Sequence, residues 1–260
     1  MKKFGLILLP FLLSGCVSWN TPNATMPGDR PVVDTVKFTE LRDLPPPARK
    51  PVIAVYDFPD LTGQRRENGS VSSLSTAVTQ GATPMLIDAL KNAGNGEWFT
   101  VVERNRVDDL AKERQIVRQT REEYLGDEAN KLRPMLFAGI ILQGGIIGYD
   151  TNIVTGGAGA RYLGIGGDTQ YRKDQVTVAL RAVSTETGEV IMNVQVSKTV
   201  FSVGTSVSLF KFVDVGTKLI EGEVGMTENE ANTMAVKIAI EAAVVELIKQ
   251  GVQKGYWSYK

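Results

Sequence analysis

Histidine and cysteine, the side chains that most often carry catalysis or hold a metal, are almost absent from this sequence of 260 residues. There is no histidine, which excludes the commonest general base, the imidazole metal ligand and every catalytic site built on a histidine. Cys16 is the single cysteine, so an intrachain disulfide and a paired-cysteine metal site are excluded as well. The sequence therefore predicts a protein that is not an enzyme and that needs no metal.

The surroundings of Cys16 predict that it carries a lipid. Residues 1–15 have the pattern of a secretory signal, with Lys2 and Lys3 before an apolar run that is too short to span a membrane. The segment Leu13-Ser14-Gly15-Cys16 resembles a bacterial lipobox, whose cysteine receives an N-acyl diglyceride and becomes the first mature residue. Valine at the next position favours the outer membrane, by similarity to sorting rules. The alternative is an ordinary signal with a coincidental cysteine.

Charge and composition limit the other classes of function. The 29 basic residues balance the 29 acidic ones, so no excess of positive charge points to nucleic acid. A hydrophobic fraction of 43% supports a packed core. We expect no cofactor other than the covalent lipid on Cys16.

The segments between 52 and 260 predict an α+β fold. Residues 16–51 are proline-rich and are expected to form an extended tether. Apolar runs predict strands at 52–58, 99–103, 140–149, 175–183 and 189–200. Helical periodicity predicts one helix that begins at Thr83-Pro84 or earlier and ends before Gly94. It predicts a second helix at about 106–120 that buries Val107, Leu110 and Ala111, and a third at 230–250 that ends at Gly251. Residues 52–149, 175–201 and 229–260 are thus assigned to one α/β sandwich.

Two stretches, 150–174 and 202–228, do not fit that sandwich. Each is long enough for two strands of about ten residues, the length that crosses a membrane. In the second stretch, Val203, Thr205, Val207 and Leu209 alternate with serines and glycine, as in a membrane β-strand with one face to lipid and one to water. Four strands cannot close a barrel, so spanning hairpins need several copies of the chain. The alternative is a pair of amphipathic hairpins on the surface of a soluble domain.

Several short motifs resemble the CsgG family of curli secretion channel lipoproteins. The resemblance extends in order and spacing from the lipobox to near the C-terminus. The motifs that carry it, besides the lipobox, are Thr62-Gly63-Gln64, Ser75-Thr76-Ala77-Val78, Gly159-Ala160-Arg161-Tyr162, Gly164-Ile165-Gly166, Asp168-Thr169-Gln170-Tyr171 and Glu221-Gly222-Glu223-Val224-Gly225.

The resemblance implies a nonameric ring in the outer membrane, with the α/β domain forming a periplasmic vestibule. Each protomer is expected to give two transmembrane hairpins, 150–174 and 202–228, to one shared β-barrel. The implied function is passive, ATP-independent export of unfolded curli-type amyloid subunits. A periplasmic gating factor and a surface nucleation factor are the implied partners.

The resemblance also implies where the pore lies. The loop at 64–77 is expected to form its constriction, and the positions that are aromatic or asparagine in curli-type members correspond here to Gly69, Ser73 and Leu74. No aromatic residue remains in that loop, so a wider throat or a different substrate is expected. The residues expected to line the barrel lumen are Asp168, Glu221, Glu223 and Arg161, with the arginine paired to one of the acids. The alternative is that these charges are solvated surface groups.

A second function remains open at this point. The chain is alternatively a monomeric periplasmic lipoprotein that binds and regulates a cell-envelope enzyme, because an α/β core does not determine function. The two long alternating stretches discriminate between the hypotheses, since a soluble regulator has no need of them.

Overall fold

The apolar, β-branched runs of the sequence form one six-stranded sheet in a computed structural model of the chain. Its spatial order is β4-β1-β5-β6-β7-β8, with β1 parallel to both of its neighbours and the remaining pairs antiparallel. A separate antiparallel pair, β2 and β3, makes up a small second sheet. The strands are β1 (Val52–Val55), β2 (Arg65–Asn68), β3 (Val71–Thr76), β4 (Thr100–Glu103), β5 (Ile140–Val154), β6 (Ile165–Ser184), β7 (Val190–Lys211) and β8 (Ile220–Asn229).

The structure describes residues 33–68, 71–126, 131–154, 165–211, 220–229 and 232–260. Within them, only the backbone is described at 66–68, 71–75, 152–154, 165–172, 201–211 and 220–229. All described strands and helices belong to one compact unit, Val36–Lys260.

The long strands run without interruption past the boundaries expected from the sequence. β5, β6 and β7 have 15, 20 and 22 residues, and residues 150, 174 and 202 lie inside them. The pairing of β6 with β7 continues from Ala182–Met192 to Ile165–Leu209 without a register shift. The predicted hairpins are therefore extensions of the central sheet strands and not separate insertions.

In the described residues, three α-helices accompany the sheet: α1 (Ala82–Asn92), α2 (Val107–Leu125) and α3 (Asn232–Gln253). The core lies between α1, α3 and one face of the sheet, where Leu86, Leu180 and Leu247 are fully buried. Among the described helices, none combines the length and the hydropathy that crossing a membrane requires.

The expected burial of α2 is wrong. None of its residues is buried, Val107 and Leu110 are only half-buried, and Ala111 is exposed. The helix lies on the surface, where the Arg114 guanidinium donates a hydrogen bond of 2.8 Å to the carbonyl of Arg133. Of its half-buried residues only Val107, Leu110 and Val117 are apolar, so the helix has too little apolar surface for the core to cover.

The end of the predicted tether packs into the fold. From Val36 onward the chain contributes buried side chains, including Leu41 and Leu44. The Trp98 indole N–H donates to the carbonyl of Pro45 at 2.8 Å, and the backbone N–H of Ala48 donates to Ser258 at 2.9 Å. Part of the segment assigned to the tether thus lies in the α/β unit.

Candidate functional site

The loop after β1, residues 62–79, is fixed to the sheet at its entrance. Residues 59–61 continue alongside β5, where the Leu61 N–H donates to the Ile146 carbonyl at 2.9 Å and the Ile146 N–H donates to the Pro59 carbonyl at 3.0 Å. Asp60 and Ile146 form an isolated parallel bridge at this point. The entrance of the loop therefore lies where β5 leaves the α/β core.

Two glycines of β5 leave room for this arrangement. A Cβ atom on Gly145 would lie 2.5 Å from the Pro59 carbonyl oxygen, and one on Gly144 would lie 2.0 Å from the Ala179 carbonyl oxygen. Both neighbours are backbone atoms that cannot move without breaking the sheet. Only glycine permits this close approach.

The loop itself folds as the hairpin of β2 and β3. Arg65 pairs with Thr76. Next to that pair, on the side away from the tip of the hairpin, the Ala77 N–H donates to the Gln64 carbonyl at 2.9 Å. Ser73 and Leu74, two of the expected constriction residues, lie in β3, where only the backbone is described. Gly69 lies outside the described residues. The constriction at these three positions stays a prediction.

The acids expected in the lumen occupy one face of the extended sheet. Asp168 pairs with Ser206, which pairs on its other side with Gly225. Glu223 and Glu221 pair with Ser208 and Phe210 of the same strand, two and four positions further along. Because cross-strand partners and alternate residues share a face, the three acids belong to the same one. Arg161 and Cys16 lie outside the described residues.

The polarity of the sheet reverses along its length. In the α/β half, Met192, Val194 and Val200 of β7 are buried on the face that α3 covers. Asn193, Gln195 and Ser197 lie on the opposite face and are exposed.

Beyond residue 201 the pattern is opposite. Because the register is unbroken, positions 202, 204, 206 and 208 continue the helix-covered face, and they are serine or glycine. Positions 203, 205, 207 and 209 continue the open face, and they are valine, threonine and leucine. Apolar residues thus change sides within single strands.

A polar cluster lies at the change of polarity. The Tyr149 hydroxyl donates to a carboxylate oxygen of Asp174 at 3.1 Å, and the Asn232 amide donates to the Tyr149 oxygen at 2.8 Å. Both Tyr149 and Asp174 are buried. The cluster joins β5, β6 and the first turn of α3 where the apolar core ends.

The sequence interpretation missed the residues that hold the base of the loop, Asp60, Gln80 and Gly145. The spacing of Asp60 and Thr62 is a signal for a local turn, because an aspartate carboxylate often accepts from the residue two positions on. Gln80 and Gly145 carry no comparable local signal. In the described part of the chain, no acidic or cysteine side chains cluster in a way that would hold a metal ion.

The comparisons with known proteins agree with the motifs. The family model "Curli production assembly/transport component CsgG" matches residues 35–260. The protein of that name from Escherichia coli K12 is 40% identical over 259 residues, covering 99% of this chain and 91% of the relative. Those from Salmonella typhimurium and Citrobacter koseri are 39% identical with the same coverage. The chain belongs to the CsgG family of curli production assembly/transport components.

Proposed function

We propose that this chain is the subunit of an oligomeric outer-membrane channel that exports unfolded curli-type amyloid subunits without ATP. Membership in a family of curli production assembly/transport components supports a role in curli secretion. The name denotes transport and not a reaction, which is consistent with a protein that is not an enzyme. The envelope location also fits, with Cys16 as the proposed lipid anchor.

The reversal of sheet polarity is the observation that carries this proposal. A soluble two-layer sandwich keeps its apolar residues on the helix-covered face along the whole strand. Here Val203, Val207 and Leu209 continue the opposite face, on which the same strand exposes Gln195 in the α/β half. An apolar face beside a face of serines and acids fits a wall with lipid outside and water inside.

The strand directions support a shared barrel. In the extended region β5, β6, β7 and β8 are successively antiparallel, so β8 runs antiparallel to β5. Within the described residues, β8 pairs only with β7, and β5 beyond Ile146 pairs only with β6. A second copy that places its β5 beside β8 would continue the antiparallel order and cover one open edge of each copy. Lipid tolerates no open edge, so the ring must close, with nine copies by resemblance.

The same arrangement assigns roles to the predicted site residues. Asp168, Glu221 and Glu223 would face the lumen as rings of negative charge that favour cations. Arg161 would pair with one of these acids near the hairpin turn. Gly69, Ser73 and Leu74 would form the constriction, and the α/β domains would form the vestibule that a gating factor closes on the periplasmic side. A nucleation factor would receive the exported subunit at the cell surface.

Single-channel conductance of the detergent-extracted protein in a planar bilayer tests the proposal. We expect large, stable steps that do not depend on voltage. The substitution Leu74→Trp is expected to lower each step, because it adds one large ring per copy at the throat. A folded and oligomeric preparation that conducts no current would overturn the channel and favour a regulatory lipoprotein.

A further inference from the structure

The side chain of Asp60 joins the two ends of the loop at 62–79, which contains the proposed constriction at 64–77 and is called the constriction loop below. One carboxylate oxygen, Oδ1, accepts from the Thr62 N–H at 2.9 Å and from the Thr62 hydroxyl at 2.7 Å. The other, Oδ2, accepts from the Gln80 amide at 3.0 Å. Thr62 opens the loop and Gln80 follows its last residue, so one carboxylate holds both arms.

The arms on either side of this contact are tied to rigid elements. Leu61 is bound to β5 through the backbone of Ile146. The Phe58 N–H donates to the Thr83 hydroxyl, in the first turn of α1, at 2.9 Å. The Gly81 N–H donates to the Thr79 hydroxyl at 3.1 Å, which shapes the exit arm just before α1. The Asp60 carboxylate thus lies between β5 and α1, at the root of the loop.

The hairpin beyond these arms depends on them for its position. β2 and β3 form a sheet of their own, and no described strand of the main sheet pairs with them. Backbone ladders therefore define the hairpin internally but do not orient it against the sheet. The orientation has to come from the two arms, and the Asp60–Gln80 hydrogen bond links them through side chains in the part of the loop where side chains are described.

We propose that Asp60 is a positioning residue that fixes the constriction loop in one orientation in the pore by bridging Thr62 and Gln80. This inference rests on the proposed channel function. Without the bridge, the two arms are still joined by the Ala77–Gln64 backbone hydrogen bond, but the angle of the hairpin to β5 and α1 is no longer fixed, and the hairpin samples several heights and tilts. The throat then has several widths in place of one.

Four variants of the full-length oligomer test this. Asp60→Ala removes the bridge, and Gln80→Glu sets two carboxylates against each other. The double variant Asp60→Asn/Gln80→Glu restores the contact, because the introduced amide donates to the introduced carboxylate while its oxygen still accepts from Thr62. Asp57→Ala is the matched control, since it removes the same charge from an exposed side chain of the same segment.

Two measurements are made on each variant. Hydrogen exchange of the amides at 65–76 reports the order of the loop in the assembled protein, whether or not it conducts. Single-channel recording reports the number of current levels. We expect D60A and Q80E to exchange about tenfold faster, as the loss of one or two net hydrogen bonds implies. We also expect them to switch between several levels.

The double variant and D57A are expected to keep slow exchange and one current level. This rescue is decisive, because general destabilisation by two substitutions would not be reversed by exchanging the donor and the acceptor. The positioning role is overturned if D60A keeps wild-type exchange at 65–76, or if the double variant is no better than Q80E. A wild-type oligomer that is silent in the bilayer refutes the channel function, while the exchange data still decide the role of Asp60.

Discussion

At the residue scale, Glu241 is a buried carboxylate that holds an N-terminal segment against α3. It is 1% exposed, and its Oε2 atom accepts from the backbone N–H groups of Lys37 and Phe38 at 2.9 and 2.6 Å. Its Oε1 atom is buried with no hydrogen-bond partner among the described residues. Burial raises the pKa of this carboxyl, while the two N–H groups and the charge of Lys237 oppose the increase and Asp88 adds to it.

This raised pKa predicts how stability depends on pH. The folded state binds the proton of Glu241 more tightly than the unfolded state, whose value is near 4.5. The carboxyl's stabilising contribution is therefore fully present below that value and is lost as pH rises through the folded pKa. The wild-type protein is expected to gain stability relative to Glu241→Gln as pH falls from 8 to about 4.5. Denaturant unfolding at equal protein concentration measures the difference.

A difference in unfolding free energy that stays constant or shrinks as pH falls would contradict this. Lys237→Met is the useful companion variant, because it removes the positive charge that lowers the pKa of Glu241. This substitution is expected to raise the pKa of Glu241 in the folded state further, since only the two backbone hydrogen bonds then lower it. The stabilising contribution of the protonated carboxyl is then lost only at a higher pH.

At the scale of elements, β5 is the strand on which the loop and the sheet extension both depend. Its glycines at 144 and 145 lie where Pro59 and the neighbouring strand approach. Sequence reasoning correctly predicts a strand here, because the run is apolar. It does not predict why glycine interrupts that run, because the close backbone contacts come from residues that are 35 and 86 positions away in sequence.

Substitution of these glycines tests the close approach. Gly144→Ala places a Cβ 2.0 Å from the Ala179 carbonyl oxygen, and is expected to destabilise the fold by about 3 kcal/mol or to prevent folding. Gly139→Ala is the control, because nothing lies within 4 Å of its Cβ and it is expected to have no measurable effect. The denaturation midpoint of each variant checks this, and equal midpoints would contradict the model of a glycine-dependent contact.

Another glycine shows why a helix end expected from sequence can be wrong without the tertiary structure. Gly251 is expected from the sequence to end the last helix, but α3 continues to Gln253. A Cβ at 251 would lie 2.1 Å from the ring of Trp257, so the glycine makes room for that indole. The residue with the left-handed backbone that follows the helix is Gly255, at φ 77°.

At the scale of the whole molecule, the strands belong to two environments. Their α/β halves pack apolar residues under α3, and their extended halves continue the same face with serine, glycine and acids. Between the two halves lies the buried cluster of Tyr149, Asp174 and Asn232. The polarity is that of a soluble domain on one side of this cluster and of a proposed membrane wall on the other.

Paired substitutions on β7 test this division. Val207→Arg places a charge on the proposed lipid face, and is expected to cost about 2–4 kcal/mol near the bilayer midplane. Ser206→Arg places the same charge one residue earlier on the proposed lumen face, opposite Asp168, and is expected to be tolerated. The amount of heat-stable oligomer in purified outer membranes measures both. Equal loss in the two variants, or a greater loss for S206R, would contradict the assignment of the faces.

The sequence by itself determined the features that depend on neighbours a few residues apart. The alternation at 202–209, the helix before Gly94 and the strands of the α/β half are read from periods of two or of 3.6 residues. The absence of histidine and the family resemblance are also properties of the sequence alone. The lipid on Cys16 rests on the same kind of local signal, four consecutive residues, and stays a prediction.

Only the tertiary structure decided which face of the sheet carries the apolar residues at 203–209. A surface hairpin and a membrane strand show the same alternation in sequence. The position of α3 shows which of the two faces is covered in the α/β half, and therefore that the apolar residues at 203–209 continue the opposite face. The links from Asp60 to Gln80 and from Glu241 to Lys37 span 20 and 204 residues. Such contacts follow from how distant elements pack, so local periodicity carries no signal for them.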